Sequence, residues 1–266
     1  MSDTELKAQI EAATVYEAFF VPALFGQWAA PILDAAHVQE GDRLLDVGCG
    51  TGVLARAAVE RVGKSGLVVG LDNNAAMLTV AKGIAPEITW KEGAAEALPF
   101  EDASFDVVAS QFGLMFFERT PALREMMRVL KPGGRLVLSV WDRLENIPAY
   151  TILIAMLQHM VGQRAADTLR APFVLGDLEK LKAVFDAAGI APEIVTHAGT
   201  ARYPSARSWV LTDVKGWFPI VDLVLDKAQY DGLLDEAEHA LHAFVQPNGS
   251  VTFPIPVHIA SLTRAS

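Results

Sequence analysis

The alternation of apolar and polar positions changes character along the chain. Residues 5–36 carry helical spacing, with breaks expected near Pro22 and Pro31. After a turn at Gly41-Asp42 come short continuous apolar runs: Arg43–Val47, Leu67–Leu71, Ile88–Trp90, Phe105–Ser110 and Arg135–Trp141. Their length suits strands covered on both faces. Helical patterns separate them at Val53–Val62, Ala75–Gly83 and Pro121–Leu130. Lys131-Pro132-Gly133-Gly134 stops the last of these, because proline and glycine cannot extend it. Strands alternating with helices predict βαβ units and a parallel sheet.

The second half is different. Residues 146–172 read as helical. Asp177 is placed to cap a helix that Gly189 closes after Ala188. Glu193–Ala201 and Ser250–Thr263 read as two strands able to pair with each other. Between them, 205–246 looks helical, interrupted at Pro219 and recapped at Asp226. This divides the chain into an N-terminal helical segment (1–40), a strand–helix core (41–145) and a remainder (146–266). In the remainder, 146–172 and 205–246 are insertions over the sheet edge.

Composition narrows the class. The chain has 266 residues, 52% of them hydrophobic, which excludes a disordered polymer. Net charge is -10 and no Lys/Arg run is present, so nucleic acid is not an expected partner. The single cysteine, Cys49, rules out an internal disulfide and a thiolate metal cluster. The start is acidic and polar, unlike a secretory leader, so a cytoplasmic location is expected. The most apolar stretch, Ile147–Gly162, contains Pro148, Gln158 and His159, so no membrane span is expected either.

Asp46-Val47-Gly48-Cys49-Gly50-Thr51-Gly52 joins a strand to a helix. Glycines there let backbone approach a ligand, and the helix start favours electron-rich groups. Asp72 ends the next strand, 24 residues after Gly48, near the spacing at which an acid reaches a ribose diol. Capping the helix that follows is its plainer role. The loop reads G-x-G-x-G where a dinucleotide fingerprint reads G-x-G-x-x-G. Asp46, two residues before the first glycine, is wrong for a pyrophosphate and right for a sulfonium or amine. This disfavours an NAD-dependent oxidoreductase and points to S-adenosylmethionine.

Residues from about 40 to 141 resemble class I S-adenosylmethionine-dependent methyltransferases, most of all the ubiquinone/menaquinone-biosynthesis branch with its methyltransferase type 11 domain. The motifs are LLDVGCGTG (44–52), GLDNNAAML (70–78), EGAAEALPFEDASFDVV (92–108), QFGLMFF (111–117) and REMMRVLKPGG (124–134). The resemblance implies an α/β, Rossmann-like, seven-stranded, mostly parallel sheet with helices on both faces and a helical lid formed by the insertions. It implies that Gly48, Cys49 and Gly50 meet the methionine and ribose portion, Asp46 serves the amino end and Asp72 holds the ribose hydroxyls. Asn73 and Met77 would line the adenine, and Gly93, Ala94 and Ala95 its edge. Where relatives often carry an aspartate this chain has Ala94, leaving the backbone N–H of Ala95 as the donor. Tyr16, in a segment that folds over the cofactor in relatives, is a candidate for the methionine carboxylate.

Methyl transfer needs a base only when the acceptor must lose a proton, so catalytic residues are hard to read. Gln111, at the carboxyl edge of the fourth strand, is a candidate for cofactor or substrate contact; its plainer role is capping a turn. Ser110-Gln111-Phe112-Gly113 stands where nucleobase methylases carry an Asn/Asp-Pro-Pro-aromatic motif, which disfavours that chemistry. Of six histidines, His159 on an apolar inserted helix is the candidate base, and no set of ligands for a metal is evident. Ile152, Leu153, Met156, Leu157, Trp209, Trp217, Phe218 and Phe244 are expected to wall an apolar acceptor pocket. The expected reaction is methyl transfer to a small apolar acceptor, quinone-like, aromatic or a secondary metabolite. The alternative is a protein of the same fold that binds the nucleoside for a regulatory or non-methylating role. A homodimer is compatible with either.

Overall fold

In the computed structural model, which describes residues 3–221 and 223–265, a long helical run comes first. It comprises α1 (Asp3–Val15), a wide π-helical stretch (Tyr16–Phe25), a 3-10 turn (Gly26–Trp28) and α2 (Ala29–Ala35). The breaks expected at Pro22 and Pro31 do not occur. Pro22 is absorbed by the widened turns, where Gly26 N–H reaches back five residues to the Val21 carbonyl. Pro31 sits in the first turn of α2. By length and composition the run Glu5–Ala35 could cross a bilayer, contrary to the expectation that no segment reaches that threshold. Here Phe20, Leu24, Trp28, Ile32 and Leu33 are buried in the main core instead.

The core alternates as expected: β1 (Arg43–Val47), α3 (Val53–Val62), β2 (Leu67–Asp72), α4 (Ala75–Ile84), β3 (Thr89–Glu92), β4 (Phe105–Gln111), α5 (Arg119–Val129) and β5 (Leu130–Trp141). Then come α6 (Pro148–Met160), α7 (Gln163–Arg170), α8 (Leu178–Ala188), β6 (Glu193–His197), β7 (Thr200–Tyr203), α9 (Ala206–Thr212), α10 (Lys227–Ala240), β8 (Val251–Pro254) and β9 (Val257–Thr263). Asp177 and Asp226 cap α8 and α10 as read from the sequence, the latter in a reciprocal box with Gln229.

The main sheet runs β3-β2-β1-β4-β5-β9-β6. All its pairs are parallel except those of β9, which is antiparallel to both β5 and β6. It is a Rossmann-like sheet of the expected size. Each of the two last predicted strands is split. Thr200–Tyr203 and Val251–Pro254 leave the main sheet and pair with each other, because Pro254 and Pro256 interrupt the ladder. The strand order reverses between β1 and β4, and open sheets bind ligands at such a point, beyond the carboxyl ends of the strands.

Two helical pieces cover that edge. The first is the N-terminal run. The second is the insertion between β7 and β8, where α9 continues into a π turn (Asp213–Trp217). They meet at Gly216, where an added Cβ would lie 3.0 Å from the Phe20 ring.

Candidate active site

Two connected cavities lie over the switch point. The larger, about 320 Å³, is built on the β1–α3 loop. Gly48, Gly50 and Gly52 all have positive φ (69°, 54° and 87°), so three left-handed residues fold the loop back on itself. An added Cβ at Gly48 would lie 2.8 Å from the Phe117 ring, and at Gly52 2.2 Å from Trp90. At Gly50 it would enter open space, leaving this backbone free for a ligand's approach.

Asp72 is wired into the same loop. Its Oδ2 accepts from Gly50 N–H and its Oδ1 from Asn74 N–H, each at 2.8 Å. The helix cap is not Asp72 but Asn74, whose Oδ1 accepts from Ala76 and Met77. That frees the Asp72 carboxylate for the cleft it lines. Burial pushes its pKa up, against the pull of backbone donors at Asn74, Gly50 and Asn73.

Asp46 is 1% exposed. Its Oδ2 accepts from Ala55 N–H at 3.1 Å, while Oδ1 has no partner. Burial, helped by the charge of Asp72, pushes it up to about 7. A buried carboxyl with an unused oxygen and a half-buried one in the same cleft fit a ligand carrying a cation and a diol. Tyr16 lines the cleft too; burial and the charges of Asp72, Glu17 and Asp46 keep its hydroxyl protonated, as a donor. Its helical run is tethered across the loop by Glu17–Arg56, a 2.7 Å ion pair.

Cys49 is buried, and burial pushes its thiol well up, so it is no nucleophile. Asn73, Met77, Gly93 and Ala95 line the cleft as well, whereas Ala94 is exposed and outside it. The loop that carries Gly93 and Ala95 is pinned by Glu125, which accepts from Leu98 N–H, and by Arg128, which donates to the Leu98 and Phe100 carbonyls. Gln111 caps no turn: its Nε2 donates to the Phe25 carbonyl at 3.0 Å, and its Oε1 is buried without a partner.

The second cavity, about 70 Å³, is nearly all aromatic and aliphatic. Tyr16, Phe25, Phe112, Phe116 and Trp217 line both cavities, so the two communicate. Trp141, Tyr150 and Phe173 supply further wall. Of the eight residues expected to wall it, only Trp217 does so. Leu153, Met156, Leu157, Trp209 and Phe218 are buried in the core instead, Ile152 is exposed, and Phe244 packs edge-on against Phe253 of the small sheet. The insertions do reach the pocket, with Trp217 and with residues the helical pattern did not suggest, Tyr150, Leu169, Pro172 and Asp213. His159 is exposed on α6 and lines neither cavity, which removes the reason for casting it as the base. No sequence argument singled out Phe112, Trp141 or Asp213. The available signal was an aromatic residue directly after β4 and another ending β5.

The family model for a methyltransferase domain matches residues 45–138. A ubiquinone/menaquinone biosynthesis C-methyltransferase of Idiomarina loihiensis is 34% identical over 182 residues, 61% of this chain and 71% of its own. The chain belongs to the class I S-adenosylmethionine-dependent methyltransferases. Among solved structures, the YcgJ protein of Bacillus subtilis shares the fold with a TM-score of 0.61 at 20% identity, covering 90% of this chain and 99% of its own. A phosphoethanolamine N-methyltransferase of Haemonchus contortus, solved with S-adenosylhomocysteine, does so at 0.57 and 19%, covering 96% and 57%. The cofactor of this methyltransferase is S-adenosylmethionine, and the cleft with Asp46, Gly50 and Asp72 has the chemistry to hold it.

Proposed function

We propose that this methyltransferase acts on a small, largely apolar ring compound, quinone-like or aromatic, bound in the aromatic pocket beside the cofactor cleft. The observation that carries this reading is the shared wall of Tyr16, Phe25, Phe112, Phe116 and Trp217. A methyl donor on one side and an acceptor on the other would meet across it. The names of the ubiquinone/menaquinone relatives support the same acceptor class.

The cofactor supplies a methyl group already activated by its sulfonium; the protein's part is orientation and dryness. Asp72 and the loop at Gly50 fix the nucleoside end, and Asp46 faces the positive end. Phe112 and Trp141 present flat apolar surface to the acceptor ring. The N-terminal run, held by Glu17–Arg56 and Gln111–Phe25, closes the top against water.

The test is S-adenosylhomocysteine release with two panels of acceptors: hydroxylated one- and two-ring aromatics, and polar amines such as glycine and ethanolamine. Turnover confined to the aromatics is the expected result. Turnover confined to the amines would sink the reading.

A further inference from the structure

The aromatic pocket holds one carboxyl with an oxygen that the fold leaves unfilled. Asp213 opens the π turn after α9, lines the pocket and is 2% exposed. Its Oδ2 has no hydrogen-bond partner. The Tyr203 hydroxyl and Trp209 Nε1 are likewise buried; neither makes a close hydrogen bond, and they lie beside Tyr150 and Asp213 as weak donors. Tyr150, which also lines the pocket, and Tyr203 are close enough that the charge of Asp213 would raise both phenols. The nearest cation in sequence, Lys215, is exposed and lies over the Tyr230 ring at 5.4 Å, where it gives Asp213 no ion pair. The Trp209 indole is the donor nearest this carboxyl, which leaves Oδ2 dry and unfilled among rings; such an oxygen is costly to the fold, and a ligand that completes it would account for it.

We infer that Asp213 is the residue that selects the acceptor: its carboxyl hydrogen-bonds a hydroxyl or carbonyl oxygen on an otherwise apolar ring seated against Phe112, Trp141 and Phe173. This rests on the apolar-acceptor reading and deepens it. Burial pushes the Asp213 carboxyl well above the usual carboxylate range, which favours its protonated form. A protonated carboxyl donates through its O–H and accepts through its carbonyl, so it serves either oxygen function. A site built to pair one polar group rejects the analogue that lacks it, because its own group is then left bare.

The experiment measures binding of 1-naphthol, 1,4-naphthoquinone and naphthalene to the full chain saturated with S-adenosylhomocysteine. The proteins are the wild type, Asp213→Leu and Asp213→Asn. Asp213 does not line the cofactor cleft, so unchanged affinity for S-adenosylhomocysteine reports an intact fold. The wild type is expected to prefer naphthol, naphthoquinone or both over naphthalene by about tenfold or more. Asp213→Leu should abolish that preference, and Asp213→Asn, which keeps a donor and an acceptor, should retain part of it. Equal binding of all three rings by the wild type overturns the inference and leaves the apolar-acceptor reading standing. So does a preference that survives in Asp213→Leu, or, should that variant not fold, one that is undiminished in Asp213→Asn. If no ring binds while S-adenosylhomocysteine does, the apolar-acceptor reading fails and this inference with it.

Discussion

The rings of Phe112 and Trp141 stack at 3.8 Å, 10° from parallel, across the carboxyl ends of β4 and β5. Phe112 reaches this position with φ of 56°, a left-handed conformation that disfavours a bulky side chain. Its N–H donates to Ser139 on the neighbouring strand, which holds it there. Strained residues held in place by their neighbours cluster at functional sites, and this one lies beside the switch point.

Trp141 borders the aromatic pocket but not the cofactor cleft. Trp141→Leu should therefore raise the acceptor KM about tenfold, roughly 1.4 kcal/mol, and leave the Kd for S-adenosylhomocysteine unchanged. Steady-state kinetics paired with calorimetric titration separates the two effects. An equal loss in both would place Trp141 in general stability instead.

The loop glycines should separate fold from binding. Gly52→Ala forces a Cβ into Trp90 and should cost about 3 kcal/mol in denaturant unfolding. Gly50→Ala meets no neighbour, so it should cost only about 1 kcal/mol for its left-handed backbone. Its affinity for S-adenosylhomocysteine should still fall about tenfold or more. Normal binding by Gly50→Ala would show that no ligand approaches there.

Asp46 makes the ligand-free protein pH-sensitive. Its carboxyl sits at about 7 in the fold against 3.8 as a free side chain, so the folded state holds the extra proton between those values. Its contribution to stability is then greatest below about pH 4, declines as pH rises towards 7 and is flat above, a change of up to about 4 kcal/mol. Asp46→Asn should flatten the profile and raise the Tm at pH 8. A cation in the cleft favours the ionised carboxylate, so S-adenosylmethionine should bind more tightly as pH rises from 6 to 8. Thermal melts across that range, with and without cofactor, read both effects; a wild-type profile indistinguishable from Asp46→Asn would refute them.

His159 is exposed and lines neither cavity, so His159→Ala should turn over at the wild-type rate. A tenfold fall in kcat would return it to the reaction.

The sequence made the cofactor half legible and the acceptor half much less so, for a physical reason. Around Asp46, Gly48, Gly50 and Asp72 the backbone itself forms the site, and backbone demands leave signatures: glycines where φ is positive, an acid ending a strand. The boundaries of β1 and α3 could be read directly for the same reason. The aromatic pocket is made of side chains from remote segments, Tyr16, Trp141, Tyr150 and Asp213 among them, meeting only after folding. Helical apolar spacing marks a buried face but not which cavity it faces, so Trp209 and Phe218 looked like pocket wall and proved to be core. The splitting of Glu193–Ala201 into two sheets was hidden likewise, since period-two patterning does not say which sheet a strand joins.

The most direct test follows the methyl group itself. The full chain is incubated with S-adenosylmethionine tritiated on its methyl group and a solvent extract of small metabolites from its own cells. The reaction is then partitioned between water and an organic phase. The account predicts tritium in organic-phase ring compounds, abolished in Asp72→Ala and strongly reduced in Trp141→Leu. Tritium recovered only in polar, water-phase acceptors, or none transferred at all, would contradict it.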